Sequence, residues 1–423
     1  MVKSTPSLSS LARTFASFQN HNYRLYWAGQ LLSVIGTWIA RVAQAWLVLK
    51  LTNSSFDLGL VTALQAAPMT VFALFGGVLA DRFPKRPLLV ATQSAMAVQS
   101  LLLALLISSG RVQIWHVYVL AMVLGLATAF DNPTRQAFVS EMVGKDKLPN
   151  AIALNSSLFN TARIIGPAIG GALIARFSIG VPFYVNAVSF LAVIGGLLLM
   201  RPAEFYDVPQ ATRGPVLRRV REGIGYAART PDVALALILV GFIGTFGYNF
   251  TLILPLIARF VLGTGALGFG VLTAAMGAGS LVAALAMAYQ ARPTRWLLLA
   301  AATAFTIVLG LLAVVRTLPV TLAVLAGLGF ASIAFMSTAN SRLQLGAPGE
   351  LRGRVMSLYI FLNNGTAPIG SLLVGLLAQD FGVRVSVLAM AALCAAGVGL
   401  AYLYRARHAG PARILVAERR HVS

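Results

Sequence analysis

The residues best placed to do chemistry are polar side chains set into apolar stretches. Gln30, Ser33, Thr37, Arg41 and Gln44 recur at spacings of 3, 4, 4 and 3. At about 100° per residue they share an arc of roughly 80° on a helix. An intramembrane cation is costly against lipid, so this stripe predicts a wet cavity in which Arg41 can meet an acidic or polar group of a bound molecule. The bland alternative is an interhelical hydrogen-bond seam with Arg41 snorkelling outward. Ser156, Asn160 and Arg163 share a second helical face. Arg163 falls about 18 Å along its helix, near mid-membrane depth, which makes it a further cavity candidate. Its structural alternative is a buried pair with a carboxylate of another helix.

Carboxylates are scarce, with 12 Asp and Glu in 423 residues. Asp131 is the one expected inside a span. Four residues before Arg135, it reads either as half of an i,i+4 ion pair or as the carrier of a coupling proton. Asp57, at the start of the second span, is a second coupling candidate. Later in the chain the polar candidates are uncharged: Asn249, Asn340, Asn363 and Asn364. Arginines without deep carboxylates favour neutral or anionic cargo over lipophilic cations. No phosphate loop, metal-binding His/Cys cluster or nucleophile elbow occurs. The sequence therefore predicts no enzyme, metal or cofactor, and it offers no ATP site to drive a pump.

The elements that must position these residues are membrane helices. The chain is 58% hydrophobic and 11% charged, against roughly 25% charged in a soluble domain. Long unbroken apolar runs such as 87–107 and 182–200 suit helices, not the alternating ten-residue strands of a barrel. Twelve spans are expected: 25–50, 56–80, 87–108, 115–135, 151–176, 182–200, 231–258, 266–290, 295–315, 319–340, 353–379 and 383–404. The lone Cys394 is expected to be a small buried hydrophobe. Residues 1–24 hold no apolar segment, which predicts no cleaved signal peptide.

With both termini placed in the cytoplasm, 25 of the 33 Lys and Arg fall on the cytoplasmic side and six on the other, with Arg41 and Arg163 inside spans. That asymmetry is what the positive-inside rule demands. The net charge of +21 then reports orientation and attraction to anionic lipid, not nucleic acid.

The polar, Arg-rich segment 201–230 divides the chain into a 25–200 unit and a 231–404 unit, flanked by a 1–24 segment and a basic 405–423 tail. The units repeat. Leu58-Gly59-Leu60-Val61-Thr62-Ala63 matches Phe269-Gly270-Val271-Leu272-Thr273-Ala274, and Gly166-Pro167-Ala168-Ile169-Gly170 matches Ala367-Pro368-Ile369-Gly370-Ser371. Arg135 and Arg342 close corresponding spans. Such duplication suits two bundles that rock about a central site.

After the second span comes Gly77-Val78-Leu79-Ala80-Asp81-Arg82-Phe83-Pro84-Lys85-Arg86. Gly77 permits close helix approach, and Asp81 could dock on the positive end of the eleventh span, beside Arg352 and Arg354. That contact would form only when the cytoplasmic faces close, which makes it a gate. The bland reading pairs Asp81 with Arg82 or Lys85 in the loop.

This stretch resembles the loop signature of the major facilitator superfamily, Gly-x-Leu-Ala-Asp-Arg-x-Gly-Arg-Lys, with Pro84 in place of the second glycine and the basic pair swapped. Asn22-Tyr23-Arg24-Leu25-Tyr26-Trp27-Ala28-Gly29-Gln30, with Gly36-Thr37-Trp38 and Gln44-Ala45-Trp46, is similar to the enterobactin-exporter and macrolide-efflux branch. Gly166, Pro167, Gly170 and Gly171 resemble the core of the antiporter motif, although Ala153 and Ala162 replace its upstream glycines. A structural alternative is that these small residues and the proline simply pack and bend the helix. The resemblance implies an all-α membrane fold of two pseudo-symmetric six-helix bundles. It implies a monomeric, proton-coupled exporter of a small organic molecule, such as a drug or siderophore, in a bacterial-type inner membrane. An uptake carrier or lipid flippase of the same fold is the alternative, and a lipid-modifying membrane enzyme is the alternative of another class.

Overall fold

A computed structural model of the chain describes residues 15–206, 216–289 and 293–408, with the backbone alone at 73–82, 216–220, 288, 289 and 350. Among the described residues the secondary structure is helical, as it must be where no water satisfies backbone groups. The first half comprises α1 (His21–Thr52), α2 (Ser55–Arg82), α3 (Lys85–Ser108), α4 and α5 within Ile114–Arg176, and α6 (Val181–Leu198). A linker helix α7 (Val216–Arg229) follows. The second half comprises α8 (Pro231–Val261), α9 (Gly265–Tyr289), α10 (Arg295–Val314), α11 (Leu318–Gly346), α12 (Leu351–Phe381) and α13 (Val383–His408).

The 63-residue run Ile114–Arg176 would be about 95 Å long if straight, three times a bilayer core. It turns back at Gly144, whose φ of 71° is open to glycine and strained for other residues. The contacts show the reversal. Asn20 bonds the Met142 carbonyl and Arg135 reaches Gln30, so α4 (114–143) runs antiparallel to α1. Tyr23 bonds Ala151, and Gly166 packs on Trp38, so α5 (145–176) runs parallel to α1. Twelve spans result. The principal differences from the sequence expectation are lengths: several helices run past the expected spans, such as α11 to Gly346, and the linker contains a helix of its own.

Two crossings join the halves, α2 on α12 and α5 on α9. They are pseudo-symmetric and built on glycine. A Cβ on Gly59 would stand 2.7 Å from the Ser371 carbonyl oxygen, one on Gly171 2.7 Å from that of Ala266, and one on Gly270 2.7 Å from that of Pro167. All lie toward the end of the molecule that carries Asn53, remote from the linker. Hydrogen bonds tie the halves on the same side. The Ser55 amide donates to Gln379 Oε1 (2.9 Å), and Arg259 donates twice to Asn53 Oδ1 (3.1 and 3.3 Å) while lying over Trp46. Nearer mid-depth on the same crossing, Thr70 donates to the Gly365 carbonyl at 3.0 Å. Toward the linker end the same helices leave Ser156, Phe159 and Asn160 of α5, and Arg352, Ser357 and Asn364 of α12, exposed. The molecule is closed at the Asn53 end and open at the linker end.

Three π-helical turns interrupt the second half, at Ile243–Gly247 and Ile257–Val261 in α8 and at Phe361–Gly365 in α12. Two of them face each other, with Thr245 Oγ1 donating to Thr366 Oγ1 at 2.8 Å. The linker helix docks on the second half. Glu222 pairs with Arg354 at 2.6 Å, and Tyr226 donates to the Gly346 carbonyl at 2.7 Å. Cys394 is fully buried in the core of that half.

Candidate functional site

A cavity of about 490 Å³ lies between the halves, within the range of small-molecule sites. The first half supplies most of its wall, and the second contributes Thr251, Asn364 and Ala367. The polar stripe of α1 lines it as the spacing predicts, through Ser33, Thr37, Arg41 and Gln44. Gln44 donates to Gln65 Oε1 of α2 at 3.1 Å, which fixes both amides. A second cavity of about 130 Å³ adjoins, lined by Trp38, Arg41, Arg163, Tyr248, Phe250 and Phe269 among others. Arg41 stands at the junction, its guanidinium over the Trp38 ring at 4.6 Å. Neither Arg41 nor Arg163 has a hydrogen bond or ion pair among the described residues.

Asp131 and Arg135 form an i,i+4 ion pair on the wall of the larger cavity. The carboxylate is almost fully buried and also accepts from Thr92 (2.9 Å) and Gln93 (2.8 Å) of α3. Arg135 donates to Gln30 Oε1 at 2.5 Å. Gln30 is itself buried, so the structure corrects its expected place: it backs the ion pair instead of facing the cavity. The same holds for two asparagines. Asn249 turns back on its own helix, bonding the Thr245 and Phe246 carbonyls where the π turn leaves them free. Asn363 packs between α12 and α8, against Gly244, with a long bond to Asn364 at 3.4 Å. Of the pair, Asn364 faces the cavity. Asn340 is bonded by Gln344 and stays off the wall.

Asp57 sits at the Asn53 end, where it accepts from the Tyr118 hydroxyl at 2.7 Å and the Ser54 hydroxyl bonds its amide at 3.1 Å. It does not reach either cavity. In the loop motif, the side chains of Gly77, Asp81 and Arg82 lie outside the described residues. The basic pair is engaged within the first half: Lys85 with Glu141 at 2.5 Å, and Arg86 with the Leu197 and Leu198 carbonyls at 2.6 and 2.9 Å. Arg86 thereby caps the end of α6. Arg352 is exposed, and Arg354 is held by Glu222 of the linker helix. In α5, Gly166 and Gly170 pack on α1, while Gly171 and the Pro167 carbonyl pack on α9. The Gly-Pro stretch thus serves both neighbours of α5 at once.

Sequence reasoning missed Gln65, Thr92, Gln93, Thr251 and Tyr248. A signal existed for α3, where Thr92-Gln93 and Gln99-Ser100 recur seven residues apart on one face. Tyr248 carried none: its hydroxyl donates to the Ser332 carbonyl at 2.8 Å, and its ring stacks on Phe305 at 5.4 Å.

Comparison with known proteins agrees with this architecture. The family model described as transmembrane secretion effector matches residues 12–417. The staphyloferrin A transporter of Staphylococcus aureus (strain NCTC 8325 / PS 47) is 24% identical over 378 residues, 88% of this chain and 94% of its own. The multidrug efflux pump Tap of Mycolicibacterium fortuitum is 28% identical over 368 residues, 84% and 88% of the two chains. The enterobactin exporter EntS of Shigella flexneri is 24% identical over 395 residues, 92% and 90% of the two. Among solved structures, an inward-facing bacterial homologue of the human lysosomal transporter Spinster superposes with a TM-score of 0.70 at 14% identity. It covers 90% of this chain and 96% of its own. These relatives are transporters and not enzymes. The chain belongs to the transmembrane secretion effector family and is a multi-pass membrane transporter of the major facilitator type.

Proposed function

We propose that the protein exports a small organic molecule across a bacterial inner membrane, as a monomer, by alternating access coupled to protons. The observation that carries this reading is the cavity itself. It is closed at the Asn53 end, open at the linker end, and bordered by one carboxylate among the described residues, Asp131. The linker end and the termini are cytoplasmic in this reading, because 25 of the 33 basic residues fall on that side. The structure is then the state that receives cargo from the cell. Relatives named as a siderophore transporter, an enterobactin exporter and a multidrug efflux pump support export.

Coupling follows from electrostatics. While Asp131 is ionised it neutralises Arg135. A proton arriving on Asp131 frees Arg135 from its counter-charge and changes the balance of the cavity wall, so proton and cargo occupancy become linked. On closure of the linker end, Asp81 would come to the start of α12, to meet Arg352 and to compete with Glu222 for Arg354.

The test is movement of anionic and cationic dyes into everted vesicles under an imposed pH gradient, wild type against Asp131→Asn. Gradient-driven uptake by wild type and its loss in the variant are expected. Full uptake by Asp131→Asn would remove the coupling role. No gradient-driven uptake of any dye by the wild type would remove the exporter reading.

A further inference from the structure

The geometry points to an organic anion as the cargo, its negative group held between Arg41 and Arg163 and its apolar body against the aromatic wall of the smaller cavity. This inference rests on the exporter reading and specifies its substrate class.

The first ground is charge. Both arginines line the smaller cavity, and among the described residues no Asp or Glu does. Asp131, on the wall of the larger cavity, is already engaged by Arg135, Thr92 and Gln93. Arg41 has only the face of Trp38, and Arg163 has no hydrogen bond or ion pair among the described residues. Several partly buried cations elsewhere are met: Arg86 and Arg384 cap helix ends, Lys85 has Glu141, and Arg342 has Asp232. Arg41 and Arg163, at membrane depth, stand without such partners among the described residues.

The second ground is the transport cycle. An unpaired buried cation is strongly unfavourable once water is excluded. With the linker end open, water can hydrate Arg41 and Arg163. When that end closes, the hydration is lost unless an anion replaces it. Occlusion is then easier with an anion bound than without one.

The third ground is the rest of the wall. Trp38, Tyr248, Phe250 and Phe269 surround the arginines, and Tyr248 is held rigid by Ser332 and Phe305. Preset rings favour a flat or apolar body carrying a carboxylate or sulfonate. Guanidinium forks match such groups with paired hydrogen bonds.

Fluorescein and rhodamine 6G share a fused-ring core and differ in charge. Each is titrated by fluorescence anisotropy into the full chain in lipid nanodiscs. Saturable fluorescein binding is expected, weaker by roughly ten- to hundredfold in Arg41→Gln and in Arg163→Gln, and partly restored in the lysine variants. Thermal unfolding separates a binding from a structural role: the glutamine variants remove an unpaired cation, so their Tm should be equal to or above wild type. Three results would overturn the anion site. They are no saturable fluorescein binding, rhodamine 6G binding equally well, or glutamine variants that bind like wild type. Cationic dyes driven into everted vesicles alongside any of those results would leave the exporter reading standing. Arginine-dependent fluorescein binding without gradient-driven movement would uphold the anion site and sink export.

Discussion

A single methyl group at Gly59 should wedge the molecule open at its Asn53 end. A Cβ there would lie 2.7 Å from the Ser371 carbonyl oxygen, 3.0 Å from the Gly375 Cα and 3.4 Å from the Gly375 nitrogen. All three are backbone atoms of α12, so no side chain can rotate away. Overpacking of this kind costs about 1–3 kcal/mol. The contact exists only while α2 and α12 are pressed together, so the cost falls on one conformation. Taking about 2 kcal/mol, the ratio of closed to open states at that end falls roughly thirtyfold in Gly59→Ala. Thr37→Cys, on the cavity wall, supplies a reporter for a membrane-impermeant thiol reagent added to intact cells. The native Cys394 is fully buried and contributes little background. The labelling rate should rise with Gly59→Ala and stay constant with Gly195→Ala, where an added Cβ meets nothing within 4 Å. An unchanged rate in a Gly59→Ala protein that inserts normally and keeps its Tm would refute the wedge, and with it the assignment of this crossing as the closed gate.

Three further perturbations test other parts of the structure. Asp131→Asn leaves the Arg135 guanidinium without its counter-charge in a nearly buried place, at a cost of about 3 kcal/mol; the Asp131→Asn/Arg135→Gln double variant should recover much of the lost Tm. Arg259→Ala removes two exposed bonds to Asn53 and the contact over Trp46, worth about 1 kcal/mol together, so distances measured by paired spin labels across the Asn53 end should shift toward an open population. Glu222→Gln breaks the half-exposed pair with Arg354, worth less than about 1 kcal/mol, and should show as faster amide exchange along α7 with the spans unaffected.

Bulk patterning made the fold readable, because a membrane helix announces itself by length and apolarity, and a duplicated sequence announces two bundles. The first-half cavity was readable for the same reason: on α1, polar residues in an apolar background can only be spared lipid by sharing a face. That logic weakened wherever a side chain had a local alternative. Gln30 and Ser33 lie on the same stripe, yet Gln30 has Arg135 within reach and turns to it. Asn249 and Asn363 read as cavity residues because they are polar side chains in apolar spans. Asn249 adjoins the π turn at Ile243–Gly247 and Asn363 lies within that at Phe361–Gly365, and one extra residue per turn rotates everything beyond it. The pairing of Arg354 with Glu222 was hidden for another reason: a polar, Arg-rich linker gave no hint that its second half would fold and dock. Gln65 is a single amide in its span, and only the tertiary fold brings it to Gln44.

The π turn in α12 has a mechanical consequence. On one side of it, Ser371, Gly375 and Gln379 are fastened to α2; on the other, Arg354 is fastened to the linker helix. A π turn is a point of local slack, with fewer regular bonds to resist bending. The helix is therefore two rods on a joint and not one lever. Its linker-side rod can swing inward while the rod at the Asn53 end stays clamped, so the mouth at the linker end can shut before the opposite clamp lets go. In the proposed cycle a chamber shut at both ends is then a halfway station, reached by bending at the five residues Phe361 to Gly365.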